Sequence, residues 1–371
     1  MSGPFILAAG GTGGHLFGAE ALAGELLSLN KEVHLFSDAR AEAFAKQLPE
    51  IRVHHIRAGR FEGGAANAAH AFGELAIGML QARRLLRRLN PACVIGFGGY
   101  PSVPSMLAAV SLGLPTLIHE QNAVLGRANR LLTPRVRQIA TGFPSAAGLR
   151  PADRARSVYV GNPVRSGILA IAPTKYKAPH RGGRIELLVL GGSQGARIMS
   201  EVVPPALAPL PTRLREMLRV SHQARSEDLI AAEAAYRERG IAAEVQSFFS
   251  DVPERLARVH LAICRAGAST IAELAAIGRP AILIPYPYAT DDHQTANARA
   301  FAEAGGGWVI PQPELRSDSL ALHMEKMFGD QAVLTAAAQR AGEFGRRNAV
   351  QNLAKLAIDL DFGSHRQGRA A

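Results

Sequence analysis

Twice in this chain a short apolar run ends in a cluster of glycines and passes at once into a helix-like segment. Phe5 to His15 (FILAAGGTGGH) and Ile185 to Arg197 (IELLVLGGSQGAR) share that plan. Strand, glycine turn and helix in that order open a βαβ unit on a parallel sheet, and each half continues in kind. EVHLFSD, ACVIGFGG and LPTLIHE follow in the first half; LRVSHQ, AEVQSFFSD, HLAICRAG and PAILIPYPY follow in the second. The 371 residues suffice for two domains at roughly 100 to 200 residues each. A turn-forming Gly-Asn-Pro in Gly161-Asn162-Pro163-Val164-Arg165 marks the join. Domains are therefore expected over 1–163 and 164–340, with a last helix over about 341–362 and a frayed polar tail over 363–371.

Charge narrows the partners. The chain carries 42 Lys+Arg against 31 Asp+Glu, a net +11, and residues 51–137 alone hold eleven Arg and three Glu. One face of the first half is expected to be basic, suited to nucleic acid, an anionic membrane or a phosphorylated substrate. Aromatic residues make up only 6%, and no helix-turn-helix, RNA-recognition or zinc signature is present, which disfavours nucleic acid. In GELAIGMLQARRLLRRLN, Leu75, Met79 and Leu80 lie beside Arg83, Arg84, Arg87 and Arg88. This segment reads as a basic amphipathic helix on anionic lipid, or as a surface helix whose leucines face the sheet. Arg127, Arg130, Arg135 and Arg137 tip the balance toward lipid or phosphate. The longest apolar-leaning stretch, Val103 to Ile118, contains Pro, Ser and Gly and falls short of the ~18 to 20 residues that span a bilayer. Membrane contact should then be peripheral. FILAAGG reads as a first strand rather than a signal peptide, and Cys93 and Cys264 read as reduced core thiols of a cytosolic protein.

Composition, at 47% hydrophobic, excludes disorder and collagen, so the chemistry is sought at the strand ends. Both glycine loops can cradle phosphate, because glycines allow close approach and a helix N-terminus presents free N–H groups. The competing reading is a tight turn alone. A dinucleotide fingerprint fails, since Leu16 stands where the third glycine belongs, and no Gly-Lys-Ser/Thr ending makes a P-loop. His15 closes the first loop at a helix N-terminus, a setting that disfavours positive charge and suits a neutral base, or it merely hydrogen-bonds nearby. In Arg265-Ala266-Gly267-Ala268-Ser269-Thr270-Ile271-Ala272-Glu273, Ser269 or Thr270 can cap a helix. Glu273 then either accepts from ribose hydroxyls or closes a capping box with Thr270. His119-Glu120-Gln121-Asn122 and Asp291-Asp292-His293-Gln294 lie at further strand ends, where open α/β sheets bind ligands. Neither has a metal-ligand spacing.

Together, Gly10 to His15, Gly98-Gly99-Tyr100-Pro101-Ser102, His119 to Asn122, Gly161 to Arg165, Gly191 to Ala196 and Arg265 to Glu273 closely resemble the MurG family. These are the bacterial peptidoglycan enzymes that add N-acetylglucosamine to lipid I. The resemblance implies an α/β GT-B fold: two Rossmann-like parallel-sheet domains facing across a cleft, the first facing acceptor and membrane, the second binding the UDP-sugar, and the last helix packing back on the first. It implies inverting transfer from UDP-N-acetylglucosamine to the C4 hydroxyl of the muramoyl-pentapeptide on undecaprenyl diphosphate, giving lipid II and UDP. Carried over position by position, His15 is the implied general base and Ser193 with its loop holds the donor diphosphate. Glu273 binds ribose, Phe249 meets uracil, Ala268, Ser269, Thr270, Ile271 and Ala272 line the nucleotide, and Gln294 reads the sugar. Thr12, Gly13, Gly14, Asn122 and Arg165 approach the donor, while Tyr100 joins Leu75, Met79 and the four arginines toward acceptor and membrane. No cofactor or metal is implied, and the location would be the cytoplasmic face of the inner membrane, beside cell-wall synthesis and division proteins. Three positions depart from the pattern: Gly18 replaces a common Pro, His293 a frequent Gln, and His222-Gln223-Ala224-Arg225 lacks the usual glycine. A UDP-N-acetylglucosamine 2-epimerase or another GT-B transferase is the alternative.

Overall fold

The structure is a computed structural model that describes residues 3–10, 13–38, 48–59, 65–172, 175–180, 182–192 and 195–367. It divides into two compact units, Met1–Val164 with Arg347–Ala371, and Arg165–Arg346.

The first unit is built on seven parallel strands: β1 (Phe5–Ala8), β2 (Val33–Ser37), β3 (Arg52–His55), β4 (Cys93–Gly96), β5 (Thr116–Glu120), β6 (Gln138–Thr141) and β7 (Ser157–Tyr159), in the order β3-β2-β1-β4-β5-β6-β7. Strand β1 is wholly buried, and its side chains alternate between two cores, as a period of two requires. Phe5 and Leu7 pack with Leu22 and Leu26 of the Gly13–Ser28 helix and with Leu353 and Ala357 of the Ala349–Gln367 helix. Ile6 and Ala8 pack on the other face with Leu86 of the Ala65–Leu89 helix and Met106 of the Ser102–Ser111 helix. The closing helix thus starts at Ala349, not near 341, and stays helical to Gln367 through residues expected to fray.

The second unit repeats the plan with six parallel strands: β8 (Ile185–Leu190), β9 (Leu218–Gln223), β10 (Ala243–Gln246), β11 (Leu261–Cys264), β12 (Ala281–Leu283) and β13 (Gly307–Val309), ordered β10-β9-β8-β11-β12-β13. Both sheets reverse direction of winding beside their first strand, between β1 and β4 and between β8 and β11. At such a switch point the chains leave to opposite faces and open a crevice beyond the carboxyl ends of the strands. Each glycine loop lies there, following β1 or β8. Cys93 and Cys264 are buried free thiols in β4 and β11, and burial pushes both thiols up, Cys264 to about 12.

The basic helix, Ala65–Leu89, has the opposite phase to that expected for two of its residues. Met79 packs against the core formed by Ala82, Leu86 and Met106, and Leu75 is only half-exposed, so neither leads an outward face. Phe72 (62% exposed), Ile77 and Leu80 (65%) point outward instead. At ~100° per residue they share an arc of about 160° with Arg84, Arg87 and Arg88, all exposed. Arg83 sits at the edge of that arc and donates to the Ser111 hydroxyl. Among the described residues, no helix is long and apolar enough to cross a membrane.

Candidate active site

In the first unit, three loops that are distant in sequence converge beyond β1, β4 and β5. Gly98 and Gly99 hold φ of 86° and 73°, a left-handed backbone that glycine adopts freely. A Cβ on Gly99 would lie 2.6 Å from the Gly10 carbonyl oxygen and 3.4 Å from the His15 ring. His15 is the third residue of the Gly13–Ser28 helix, and its Nδ1 lies 2.9 Å from Oε1 of Gln121. Gly13 and Gly14 form the start of that helix rather than the loop before it, and Thr12 lies outside the described residues. Gly18, the departure one turn on, leaves room for Phe97: a Cβ there would come within 3.2 Å of the Phe97 ring.

The His119-Glu120-Gln121-Asn122 cluster is largely buried, and each member is committed. Glu120 Oε1 accepts from the Asn122 N–H (2.9 Å) and side-chain amide (3.2 Å), and Oε2 accepts from the Gly126 N–H (2.9 Å) and Asn129 Nδ2 (2.8 Å). Four hydrogen-bond donors satisfy this buried carboxylate. Asn122 thereby faces its own loop in this structure. His119 donates from Nε2 to the Gly161 carbonyl (3.0 Å), and burial holds its imidazole down to about 4, so it is neutral at physiological pH. Asn162 donates to the Gln121 carbonyl (2.8 Å), which ties the Gly-Asn-Pro segment to the same cluster. Tyr100 donates its hydroxyl to Asp38 at 3.2 Å. Asn129 carried no sequence signal of its own, and the Gly-Asn-Pro turn did not show that Asn162 reaches Gln121, 41 residues away.

The second unit assembles a different site beyond β8 and β11. Gly192 has φ of 84° and sits 3.9 Å, measured from an added Cβ, from the Arg265 side chain; Ser193 lies outside the described residues. Arg265 is buried and donates to the carbonyls of Ile284 and Pro285 and to Gln312 Oε1 (2.7 Å). The helix that follows is Ala268–Ala276, and its N-cap is Gly267 with no side-chain cap. Ser269 and Thr270 therefore lie within the first turn, and the capping box between Thr270 and Glu273 does not form. Glu273 pairs with Arg165 instead, Nε to Oε1 at 2.7 Å, with the carboxylate side chain 12% exposed. Its Oε2 makes no hydrogen bond among the described residues.

Two other positions differ from expectation in detail. Phe249 is 2% exposed, under the Arg255 guanidinium at 3.9 Å from its ring centroid, whereas Phe248 is 71% exposed. Arg255 is fixed in turn by Glu244, Asp251 and Ser221. The Phe249 ring is thus packing, not a free stacking surface. Gln294 Oε1 accepts from the Ala266 N–H (3.2 Å) and the Tyr286 N–H (3.0 Å), stapling two loops, and only its NH2 remains for a ligand. His293 Nδ1 lies 2.7 Å from the Thr290 carbonyl. Asp291 and Asp292 beside them hold φ of 53° and 50°, a conformation that costs a non-glycine residue about 1 kcal/mol or more and clusters at ligand sites. Among the described residues, no group of three His, Cys, Asp or Glu side chains is placed to hold a metal.

Two doubly wound parallel units, each with a glycine loop at its switch point, define the GT-B class of glycosyltransferases. Residues 5–141 match the Glycosyltransferase family 28 N-terminal domain and residues 186–355 the Glycosyltransferase family 28 C-terminal domain. The chain is 54% identical over 355 residues to the UDP-N-acetylglucosamine–N-acetylmuramyl-(pentapeptide) pyrophosphoryl-undecaprenol N-acetylglucosamine transferase of Rhodospirillum centenum, covering 96% of this chain and 94% of that one. It belongs to that family, the MurG transferases. The crystal structure of Acinetobacter baumannii MurG superposes with a TM-score of 0.79 at 28% identity, over 96% of this chain and 99% of that one. A UDP-GlcNAc 2-epimerase from Neisseria meningitidis, bound to UDP-GlcNAc, reaches a TM-score of 0.66 at 10% identity, over 96% of this chain and 100% of that one, a likeness of fold alone.

Proposed function

We infer that this chain transfers N-acetylglucosamine from UDP-N-acetylglucosamine to the C4 hydroxyl of the muramoyl-pentapeptide on undecaprenyl diphosphate, with inversion, giving lipid II and UDP. The observation that carries this reading is identity of 54% with a transferase so named, sustained across 96% of the chain.

The donor would lie on the second unit. Glu273 Oε2 accepts from a ribose hydroxyl while Oε1 keeps Arg165, and the N-terminal turn of the Ala268–Ala276 helix, from Ala268 to Ala272, meets the diphosphate with its free N–H groups. Phe248 or the Phe249 backbone is what the nucleobase can reach there, and the Gln294 NH2 is left for a sugar hydroxyl. The acceptor would lie on the first unit, near His15. In a single displacement the acceptor oxygen attacks C1 and its proton passes to the His15 ring. The bond from C1 to the UDP oxygen breaks, and the electron pair leaves with UDP. Fixed N–H donors aimed at that developing charge supply several kcal/mol, because they need not reorganise as it forms.

For the membrane, the exposed arc of Phe72, Ile77 and Leu80 flanked by Arg84, Arg87 and Arg88 supports peripheral binding to the anionic cytoplasmic leaflet. That surface is where a lipid-linked acceptor resides, and where cell-wall synthesis and division proteins would meet the enzyme.

Transfer of radiolabel from UDP-N-acetylglucosamine to a lipid I analogue, with the anomeric configuration of the product determined, tests the proposal. A β-linked disaccharide product is expected. A new UDP-sugar formed without acceptor would instead reveal an epimerase and overturn it.

A further inference from the structure

We propose that Gln121 is a positioning residue that fixes His15 as its Nδ1–H tautomer, leaving Nε2 as the lone-pair nitrogen that takes the acceptor proton. The role of His15 as base rests on the proposed function; the tautomer itself does not.

The Gln121 amide has two ends that are chemically different but alike in shape. Its nitrogen lies 2.9 Å from the Phe97 carbonyl oxygen, 3.1 Å from the His119 carbonyl oxygen and 3.2 Å from His119 Nδ1. Carbonyl oxygens can only accept, so the amide NH2 must be the group that faces them. Flipping Gln121 would set its oxygen against two other oxygens in a buried site, leaving the N–H groups' former acceptors unpaired at about 1–3 kcal/mol each. His119 agrees with this orientation. Its Nε2 donates to the Gly161 carbonyl, which makes Nδ1 the acceptor of a neutral ring, ready for the Gln121 N–H.

The other end of Gln121 then follows. Oε1 faces His15 Nδ1 at 2.9 Å, and an amide oxygen cannot donate. Nδ1 of His15 must therefore carry the hydrogen. In a neutral ring Nε2 is unprotonated, and it makes no hydrogen bond among the described residues. A chain of four groups, from the Gly161 carbonyl through His119 and Gln121 to His15, sets the proton position from the buried end outward. The ring is also held in place: the Gly98 and Gly99 backbone lies against it, with added Cβ atoms 3.4 Å from Cε1 and Cδ2.

Histidine-selective ¹⁵N labelling of the full chain, read by long-range ¹H–¹⁵N correlation at pH 8 without substrates, tests this, with His15 assigned from the H15Q variant. His15 is expected to be protonated at Nδ1 and bare at Nε2. In Gln121→Met, which keeps the length but offers no oxygen, the pattern should move toward Nε2–H. Transfer activity should then fall roughly tenfold or more in kcat, within the range a general base contributes, with KM for UDP-N-acetylglucosamine unchanged. Wild-type His15 protonated at Nε2, or an unaltered Nδ1–H pattern in Q121M, would overturn the role of Gln121. Should the variant fail to fold, the wild-type spectrum decides alone. A wild-type Nδ1–H pattern in a chain that transfers nothing to a lipid I analogue would overturn the base reading while upholding the tautomer.

Discussion

Arg165 Nε donates to Glu273 Oε1 at 2.7 Å, joining the first residue of the second unit to the helix that follows β11. Glu273 is thereby oriented by a cation before any nucleotide arrives, with one oxygen left over. Replacing Glu273 by Ala removes an acceptor of charge-assisted hydrogen bonds, each worth about 1.5–3 kcal/mol. KM for UDP-N-acetylglucosamine should rise about ten- to a hundredfold with a smaller change in kcat, as read by steady-state kinetics. A kcat effect with KM intact would contradict ribose binding.

His15→Ala should leave donor KM near its wild-type value and lower kcat by roughly a hundredfold or more, the usual contribution of a positioned base. Unchanged kcat would show that another group takes the proton.

On the Ala65–Leu89 helix, the two faces predict opposite outcomes. Phe72→Ala with Leu80→Ala should weaken binding to anionic liposomes and leave the melting temperature unchanged, since both side chains are exposed. Met79→Ala should lower stability by about 2–3 kcal/mol through lost core packing. Replacing Arg84, Arg87 and Arg88 by Gln should flatten the salt dependence of liposome binding. Liposome sedimentation beside thermal unfolding separates these effects.

Arg279 is 1% exposed and donates to the carbonyls of Leu256, Ala257, Ile277 and Gly278, at the C-terminal ends of two helices. A helix end leaves such carbonyls without partners, and one guanidinium supplies them all. Arg279→Met should cost roughly 3 kcal/mol or more, because several buried acceptors lose their donor at once. Urea denaturation measures it, and a near-neutral result would mean that water replaces the guanidinium.

Stability should also fall with mild acid. Burial holds the imidazoles of His119 and His222 down to about 4, against 6.5 for the free side chain. Between pH 6.5 and 4 the unfolded chain therefore binds protons that the folded chain does not. Folding stability declines across that window by up to about 1.4 kcal/mol per pH unit for each histidine, and is unaffected above it. Denaturation midpoints at pH 7.5, 6 and 5 should step downward, and a flat profile would show both rings to be accessible to water.

The amino-acid sequence by itself determined the repeated strand–glycine–helix plan, the join near Arg165 and the family, because each rests on local pattern. Apolar runs such as FILA and LAIC are buried on both faces and announce themselves. Strand β3 (RVHH) did not, being a half-exposed edge strand whose residues look polar; β6 (QIAT), β7 (SVY) and β13 (GWV) each mix polar residues or glycine into a short run and do not read as apolar strands. Only the tertiary structure decided the side-chain pairings. Helical spacing tells which residues share a face, not which face is inward, so Leu80 points outward with Phe72 and Ile77 while Met79 packs on the core and Leu75 is half-exposed. Adjacent phenylalanines are equivalent until Arg255 covers one of them. Thr270 has the spacing of a capping box, yet Gly267 starts the helix and Arg165, 108 residues away, claims Glu273. Gln121 pairs with His15 across 106 residues for the same reason: a hydrogen bond is set by distance in space, and sequence spacing carries that only within a turn or two.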